Sequence, residues 1–463
     1  MARIDPDPRP VHPGETPAAS GAASGASVME VDLTAAAGAA GAEVPPEILA
    51  QSLGEYLRGW WARLRSGDSG ILPVIVGLVA VGAIFEITTP QNAFLRPSNL
   101  VYTFQESTVY MVLAMAEIFV LLLGEIDLSI GYVALFGGVV TWRLVQLPSP
   151  GWPWWAAIAA SLFFCGIVGA IQGALVSRLK IPSFVVTLAG LLLFRGIVVI
   201  LLGGADGLYS ISPAASNQAV LYDLVQGNID PAISWIAMAV LVAAVGGGLW
   251  MRAERRRRGG LVAPPRSLTG IRIAMLAAVG IAAVAICDVN RGGFAVVDGV
   301  PWVIPVVLAL LALWTLLLQR TRFGRYVYAI GGNPEAARRA GVKVASIRTW
   351  AFVLSAVTAG FGGILLGSFF YGQYSTNLAD GSQLVLYAVA ASVIGGTSLF
   401  GGRGKSIHGI LGGLIIGGIV YGMALLGLQV EWELIVTGGV LLLAVLIDVL
   451  SRRSASNGGT ERA

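Results

Sequence analysis

The sequence predicts an all-α integral membrane protein with about 12 transmembrane helices and both termini in the cytoplasm. Two observations predict this class: the composition, and the distribution of positive charge between the apolar runs. Of the 463 residues, 56% are hydrophobic and only 12% are charged, and this charged share is about half that of a soluble chain. A soluble fold of this size has too little interior for so many apolar side chains. In a bilayer, lipid solvates the outward faces of the helices.

Twelve apolar runs account for most of the chain, and a spanning helix needs about 20 such residues. The runs are expected at 71–89, 102–123, 127–146, 153–176, 183–203, 232–251, 270–288, 301–318, 346–370, 383–399, 406–428 and 431–450. Residues 124–131 are expected to form either a loop or a break within the membrane.

The loops between these runs fall into two alternating sets with very different charge. One set holds sixteen Lys and Arg residues and the other holds two, Arg96 and Arg291. Cytoplasmic loops carry the excess of Lys and Arg, so the first set is predicted to lie inside. Its members are Arg178, Lys180, Arg252, Arg255, Arg256, Arg257, Arg258, Arg266, Arg320, Arg322, Arg325, Arg338, Arg339, Lys343, Arg403 and Lys405. The loop 204–231, which has acidic residues but no Lys or Arg, is predicted to lie outside.

The chain divides into four regions by composition. Residues 1–50 are rich in Ala, Gly, Pro and Ser, which predicts a disordered cytoplasmic tail. Residues 51–70 mix aromatic residues with arginines, which is typical of a segment lying along the inner membrane surface. Residues 71–450 form the transmembrane domain, and residues 451–463 form a cytoplasmic C-terminal tail.

The residues that hold metals or carry nucleophilic chemistry are few and scattered. Cys165 and Cys287 stand alone inside apolar runs, and His12 and His408 are far apart in the chain. This pattern favours buried packing cysteines over a disulfide or a zinc site. We therefore expect no metal, no cofactor and no catalytic residue.

The stretch 321–344 lies between the eighth and ninth runs and predicts a short helix in a cytoplasmic loop. Gly331 and Gly332 indicate a turn before this helix. Its remaining signals are an N-cap, a proline at the first helical position, an acidic residue at the positive helix end and a terminating glycine. These are Asn333, Pro334, Glu335, Ala336, Ala337 and Gly341. A helix this short is marginal in water, so we expect either a docked partner or an ordinary loop.

The segment GEIDLSIG at 124–131 is the most polar patch between two apolar runs. Glu125 and Asp127 are costly at membrane depth unless they face water or protein. Together with Ser129 they are candidates for the lining of a translocation pathway, with helix ends offered to a polar solute. The alternative is that the two acids merely cap a helix at the inner interface.

Arg195 interrupts an apolar run, and a buried arginine must pair with a carboxylate or with carbonyl groups. Glu117, Glu125 and Asp127 are its possible partners. Arg195 is therefore a fourth pathway candidate.

The glycine-rich stretch 395–406 fails the phosphate-loop pattern, because Leu399 stands where that pattern requires glycine. We predict instead a tight cytoplasmic turn that contains Gly401, Gly402 and Arg403. Without any other nucleotide-binding motif, the chain is not expected to hydrolyse ATP alone. Downstream, Gly409 and two further glycines at four-residue spacing predict close approach of another helix, within the chain or in a second copy.

The residues 335–341 match the EAA-x3-G core of permease subunits of bacterial ABC importers. The later I-x-LP of that pattern is absent, since residues 351–354 read AFVL. Four stretches, in order, resemble the ribose/xylose branch of this superfamily: GEIDLSIG, IPSFVVTLAGLLLFRG, FGRYVYAIGGNPEAARRAGV and VIGGTSLFGGRGKSIHGILGG. The resemblance covers about residues 71–450, and the central insertion with RAERRRR at 252–258 is most similar to xylose-type subunits.

This resemblance implies a function and a set of partners. The chain is expected to be a bacterial cell-membrane permease that imports a monosaccharide, most of all xylose, by alternating access. Two copies would form the pathway, and two ABC ATPase subunits would bind ATP and grip the segment 333–341. An extracytoplasmic sugar-binding protein would deliver the substrate, and no nucleic acid is expected.

Three alternatives remain open from the residues. The substrate can be ribose, glucose, galactose or another sugar of the same branch. An ion-coupled secondary transporter would use deep acidic residues such as Glu117. An intramembrane enzyme would need a clustered nucleophile or metal set, for which the chain offers little.

Overall fold

The computed structural model describes residues 53–65, 70–146, 151–203, 208–210, 216–261, 263–293, 295–375 and 381–457. The predicted tail 1–50 lies outside the described residues, and so does the end of the C-terminal tail. The described part is dominated by helices joined by short connections.

Sixteen α-helices are described in chain order. They are α1 (Leu53–Arg65), α2 (Leu72–Thr88), α3 (Pro97–Leu121), α4 (Ile130–Val145), α5 (Trp154–Arg178), α6 (Ser183–Leu201), α7 (Ser216–Gln226), α8 (Pro231–Arg258), α9 (Arg266–Cys287), α10 (Val303–Arg320), α11 (Arg322–Gly332), α12 (Pro334–Arg339), α13 (Val344–Phe369), α14 (Gly381–Ile394), α15 (Ser406–Leu425) and α16 (Val430–Asn457). A 3-10 turn at Pro90–Asn92 joins α2 to α3.

Two small antiparallel pairs of strands join distant loops. Strand β1 (Leu208–Ser210) pairs with β4 (Gln373–Ser375), and β2 (Asn228–Ile229) pairs with β3 (Val300–Pro301). Strand β1 follows α6 and β2 follows α7, and each pairs with a strand much later in the chain. Both pairs thus close one end of the helical bundle.

Each of the twelve predicted runs falls on a helix. Among the described residues, eight helices are long and apolar enough to cross a membrane, namely α3, α5, α6, α8, α9, α10, α13 and α15. Helices α2, α4 and α14 are apolar but shorter, with 17, 16 and 14 residues. The third run was predicted to begin at 127, but α4 begins at Ile130, because residues before it form a non-helical connection.

Helix α3 is the centre of the bundle, since 89% of its most apolar 18-residue stretch is buried. Its main neighbours are α13, α14 and α15, and α13 packs in turn against α4 and α5. Close packing of α4 on α13 requires glycine at Gly363, where a Cβ would overlap the carbonyl of Ala134. This contact positions the segment between α3 and α4.

The glycine stripe of α15 packs within the chain. A Cβ on Gly409 would collide with Met115 of α3, and one on Gly413 would lie 2.6 Å from Met111 Cα. The contact that the sequence left open is therefore an intramolecular one with α3. Small residues let the two helix backbones approach closely.

Helices α8 and α9 form an outboard hairpin. Only 11% of the most apolar 18-residue stretch of each helix is buried, and the two helices pack chiefly against one another. Glu254 of α8 pairs with Arg266 at the start of α9 at 3.4 Å, and with Arg257 of its own helix at 3.2 Å. The sequence predicted a span ending near 251, but α8 continues to Arg258, because RAERRRR extends the helix beyond the apolar stretch.

Candidate functional site

The short helix predicted after residue 333 is present as α12. The Asn333 side-chain oxygen accepts a hydrogen bond from the Ala336 N–H at 2.9 Å, and Pro334 occupies the first turn. Gly341 then adopts φ +83°, a left-handed conformation that glycine adopts without strain. The local sequence alone therefore sets both ends of α12.

The charged face of α12 is open to solvent. Glu335 accepts hydrogen bonds from Arg338 at 3.0 Å and Arg339 at 3.2 Å, and these bonds lower the pKa of its carboxyl group. All three side chains are more than half exposed, whereas Ala337 is buried against the protein. Such exposed ion pairs add little to stability. They leave a charged surface that a partner can contact.

Helix α11 was not predicted from the sequence. It directly precedes α12 in the chain and packs against it. Gly331 and Gly332, predicted as a turn, form the last turn of α11. A Cβ on Gly331 would overlap the Leu122 carbonyl oxygen and lie 2.5 Å from the Gly402 nitrogen. The glycine is thus required for close approach rather than for a turn.

Three chain segments meet at this point. We call it the glycine junction, and it consists of Gly124, Gly331 and the adjacent pair Gly401 and Gly402. The Gly402 N–H donates to the Leu122 carbonyl at 2.9 Å, at the end of α3. A Cβ on Gly401 would lie 2.9 Å from the Gly124 nitrogen and 3.0 Å from the Gly331 carbonyl oxygen. The junction therefore joins α11 to the end of α3 and to the connection between α14 and α15.

The turn predicted around Gly401, Gly402 and Arg403 is present. Gly401 and Gly402 have φ +82° and +73°, and the Ser398 N–H donates to the Arg403 carbonyl at 2.9 Å. The Tyr328 hydroxyl of α11 donates to the carbonyl of Gly404 at 2.8 Å. The turn and α11 thus form one packed unit beside α12.

The polar segment 124–129 is held by buried hydrogen bonds. Asp127 Oδ1 accepts from the Ser129 N–H at 2.9 Å and from its hydroxyl at 2.6 Å. Gln172 of α5 donates to Ser129 Oγ at 2.8 Å, and Glu117 of α3 accepts from the Asp127 N–H at 3.2 Å. Asp127 therefore organises the turn that precedes α4, while Ser129 connects the turn to α5.

Glu125 points the other way, toward the segment that follows α12. Its carboxylate pairs with Arg348 of α13 at 3.5 Å. The two line a cavity of about 650 Å³ together with Lys180, Arg338 and Lys343. Four cations and one carboxylate line the cavity, and Arg338 is also paired with Glu335, which leaves a net positive charge. It lies between α12, α13 and the connection from α5 to α6.

Arg195 does not join this cluster. It lies on an exposed face of α6, and among the described residues Glu125 pairs with Arg348 instead. The predicted pairing of Arg195 with Glu117, Glu125 or Asp127 is not present, because residue 195 lies more than three helical turns beyond the start of α6 at Ser183, on an exposed face of the helix.

An acidic residue that was not predicted to be functional, Glu106, lies in the first half of α3, away from the glycine junction. Glu106 lies between Tyr102 and Tyr110 at four-residue spacing, so all three share one helix face. That spacing was a usable signal, since an intramembrane acid is a functional candidate by default.

No metal site emerges from the parts of the chain that are described. No group of three or more His, Cys, Asp or Glu residues in those parts is arranged to hold an ion. Cys165 and Cys287 are free and buried, as packing residues are.

Comparison with known proteins identifies the family. Residues 99–445 match the family model described as the permease component of the branched-chain amino acid transport system. The chain belongs to this permease family. The match spans the bundle from α3 into α16, including the glycine junction and α12.

Individual relatives of the permease are sugar transporter subunits. It is 32% identical to the xylose transport system permease protein of Escherichia coli strain K12, over 85% of this chain and 95% of the relative. The xylose transport system permease protein of Haemophilus influenzae is 33% identical, over 84% and 99%. The D-allose transport system permease protein of Escherichia coli strain K12 is 29% identical, over 83% and 92%. No solved structure matches the permease.

These matches confirm the resemblance to the ribose/xylose branch and the assignment to a membrane transport subunit. The permease is a multi-spanning protein of the bacterial cell membrane. Its mostly helical fold and its apolar helices agree with that assignment.

Proposed function

We propose that the permease is the membrane subunit of an ATP-driven ABC importer that takes up a monosaccharide, most of all xylose. The observation that carries this proposal is the match to xylose permeases over nearly their whole length. The allose relative makes other sugars of the same branch the alternative substrates.

The partners follow from what the chain contains and lacks. It has no nucleotide-binding motif, so ATP is bound and hydrolysed by a partner subunit, and the permease itself carries no cofactor. Each chain offers one segment 333–341, so two ATPase subunits require two copies of the permease. A sugar-binding protein delivers substrate to the outer face.

Both termini are cytoplasmic, and twelve helices cross the membrane, counted from α2 to α16 without the short helices α7, α11 and α12. The division of sixteen Lys and Arg residues against two between the loop sets supports this topology. It puts α12 and the positive cavity inside, where an ATPase can reach them.

Coupling runs from α12 along two routes. One passes through α11 and the glycine junction to the end of α3. The other passes through the start of α13, where Arg348 pairs with Glu125 of the polar segment. A shift of α12 that is imposed by the ATPase therefore reaches the end of α3 and the polar segment 124–129 itself.

Reconstitution tests the proposal directly. The permease, its ATPase and its binding protein are placed in liposomes, and uptake is measured for xylose, ribose, allose, glucose and galactose. We expect uptake of one of these sugars to require ATP and the ATPase subunit. Uptake that persists without the ATPase and collapses with an ionophore identifies an ion-coupled transporter instead.

Thiol labelling tests the topology. An introduced cysteine in Arg339→Cys, expressed without the ATPase, is expected to react with an impermeant maleimide only after the cells are permeabilised. Gly293→Cys is the matched control, since this exposed residue between α9 and α10 is expected to react in intact cells. The native Cys165 and Cys287 are buried and give little background. Labelling of the Arg339 variant in intact cells rules out the ATPase-coupled mechanism.

A further inference from the structure

A cluster of aromatic and acidic side chains lies in the half of the bundle opposite α12. We call it the outer cluster; its members are Tyr102, Glu106, Tyr110, Tyr387, Tyr421 and Glu433. Helix α3 carries the first three, so the cluster and the glycine junction lie near opposite ends of one helix about 36 Å long. Gln105 beside it donates to the Val225 carbonyl of α7 at 2.7 Å.

The rings of the outer cluster form two pairs. Tyr102 and Tyr421 have centroids 4.9 Å apart and tilted planes, and Tyr110 meets Tyr387 edge-on at 5.2 Å. The first pair is open, since Tyr102 is 43% exposed, while the second is buried. The open pair therefore borders a buried aromatic floor.

Glu106 is the carboxylate between these two pairs. It lies about one helical turn from Tyr102 and from Tyr110 on α3. Its Oε2 is buried and has no hydrogen-bond partner among the described residues. An unsatisfied buried acceptor destabilises the fold, so the position points to a donor that arrives from outside.

The second carboxylate of the outer cluster is already satisfied. Glu433 of α16 accepts hydrogen bonds from the Tyr387 hydroxyl and, at 3.3 Å, from Gln383. These bonds fix Tyr387 against Tyr110. Glu433 therefore supports the aromatic floor, whereas Glu106 is the free acceptor.

An interfacial aromatic belt does not explain this arrangement. Belt tyrosines face the lipid headgroups at the membrane surface. Here Tyr110 and Tyr387 are only 9% and 2% exposed, and their rings meet edge-on between α3 and α14. Aromatic walls with a few convergent polar groups are typical of a small-molecule site.

We propose that the outer cluster is a binding site for the monosaccharide on its way through the permease. The C–H face of the sugar ring packs on Tyr102 and Tyr421, and a sugar hydroxyl donates to Glu106 Oε2. This inference rests on the proposed function, and it adds a sugar site within the permease to the one on the binding protein.

Saturation-transfer NMR tests the site on the full-length permease in lipid nanodiscs, with xylose as the probe and empty nanodiscs as the baseline. We expect transfer to the C–H protons of xylose, reduced at least fivefold in Tyr102→Leu and in Glu106→Leu, since glutamine at 106 would keep an acceptor oxygen. Glu431→Leu is the matched control, an exposed acid near the start of the same helix as Glu433, and should keep the signal. A signal at baseline, or one that the two variants leave unchanged, overturns the site.

Uptake by the complete importer separates this inference from the proposed function. At saturating binding protein, both variants should transport at least tenfold more slowly, while ATP hydrolysis without sugar stays within twofold of wild type. Loss of both activities together indicates a structural role and overturns the site. If wild type shows the NMR signal but no ATP-driven sugar uptake, the proposed function fails and the site stands.

Discussion

Gly331→Ala is expected to reduce ATP-driven uptake more than tenfold and to lower the free energy of unfolding by about 1–3 kcal/mol. The added methyl group overlaps the Leu122 carbonyl oxygen and crowds the Gly402 nitrogen. Backbone atoms cannot rotate away as a flexible side chain can, so α11 must move off the glycine junction. Uptake in reconstituted liposomes and unfolding in detergent measure the two effects.

Gly332→Ala is the matched control for this change. Its Cβ would meet nothing within 4 Å, and it occupies the same last turn of α11. Alanine is a better helix former than glycine by about 1 kcal/mol, so this variant should be neutral or slightly stabilised. Equal behaviour of the two variants would show that the glycine junction does not transmit movement of α12.

Asp127→Ala is expected to lower the free energy of unfolding by about 2–4 kcal/mol and to abolish uptake. Asp127 is only 1% exposed, and its Oδ1 accepts two hydrogen bonds from Ser129. Alanine leaves these donors unsatisfied and releases Ser129, which Gln172 contacts at 2.8 Å. Chemical unfolding of the purified permease measures the loss.

Asp127→Asn separates the hydrogen bonds from the charge. Asparagine retains a carbonyl oxygen at the same place, so it should keep most of the stability that alanine loses. An alanine variant within about 0.5 kcal/mol of wild type would contradict the role assigned to Asp127, since surface changes are of that size.

Local signals in the sequence were sufficient for the twelve apolar helices and for α12. An N-cap at Asn333, a proline after it and a terminating glycine act within a few residues, and α12 forms between them. The twelve apolar runs likewise correspond to helices, because hydrophobic length is a local property. Local chemistry explains the elements, but not how they meet.

Contacts between segments that are far apart in the chain could not be predicted from the sequence. Gly331 was predicted to turn the chain, but its role comes from Leu122 and Gly402. Arg195 was expected to be buried, and only the packing of α6 shows that its face is open. The spacing of Tyr102 and Glu106 was visible, but Tyr421 and Glu433 join them only in the folded bundle.

The outboard hairpin of α8 and α9 has a practical consequence for imaging this protein. The turn of the hairpin contains Gly259 and Gly260, which are both exposed. A Cβ on Gly260 would meet nothing within 4 Å, and one on Gly259 would have Arg255, Arg256 and Leu261 as its nearest neighbours. A fiducial domain fused there through two continuous helices would add ordered mass to one side of a small, lipid-surrounded particle. The added mass would improve particle alignment in electron cryomicroscopy.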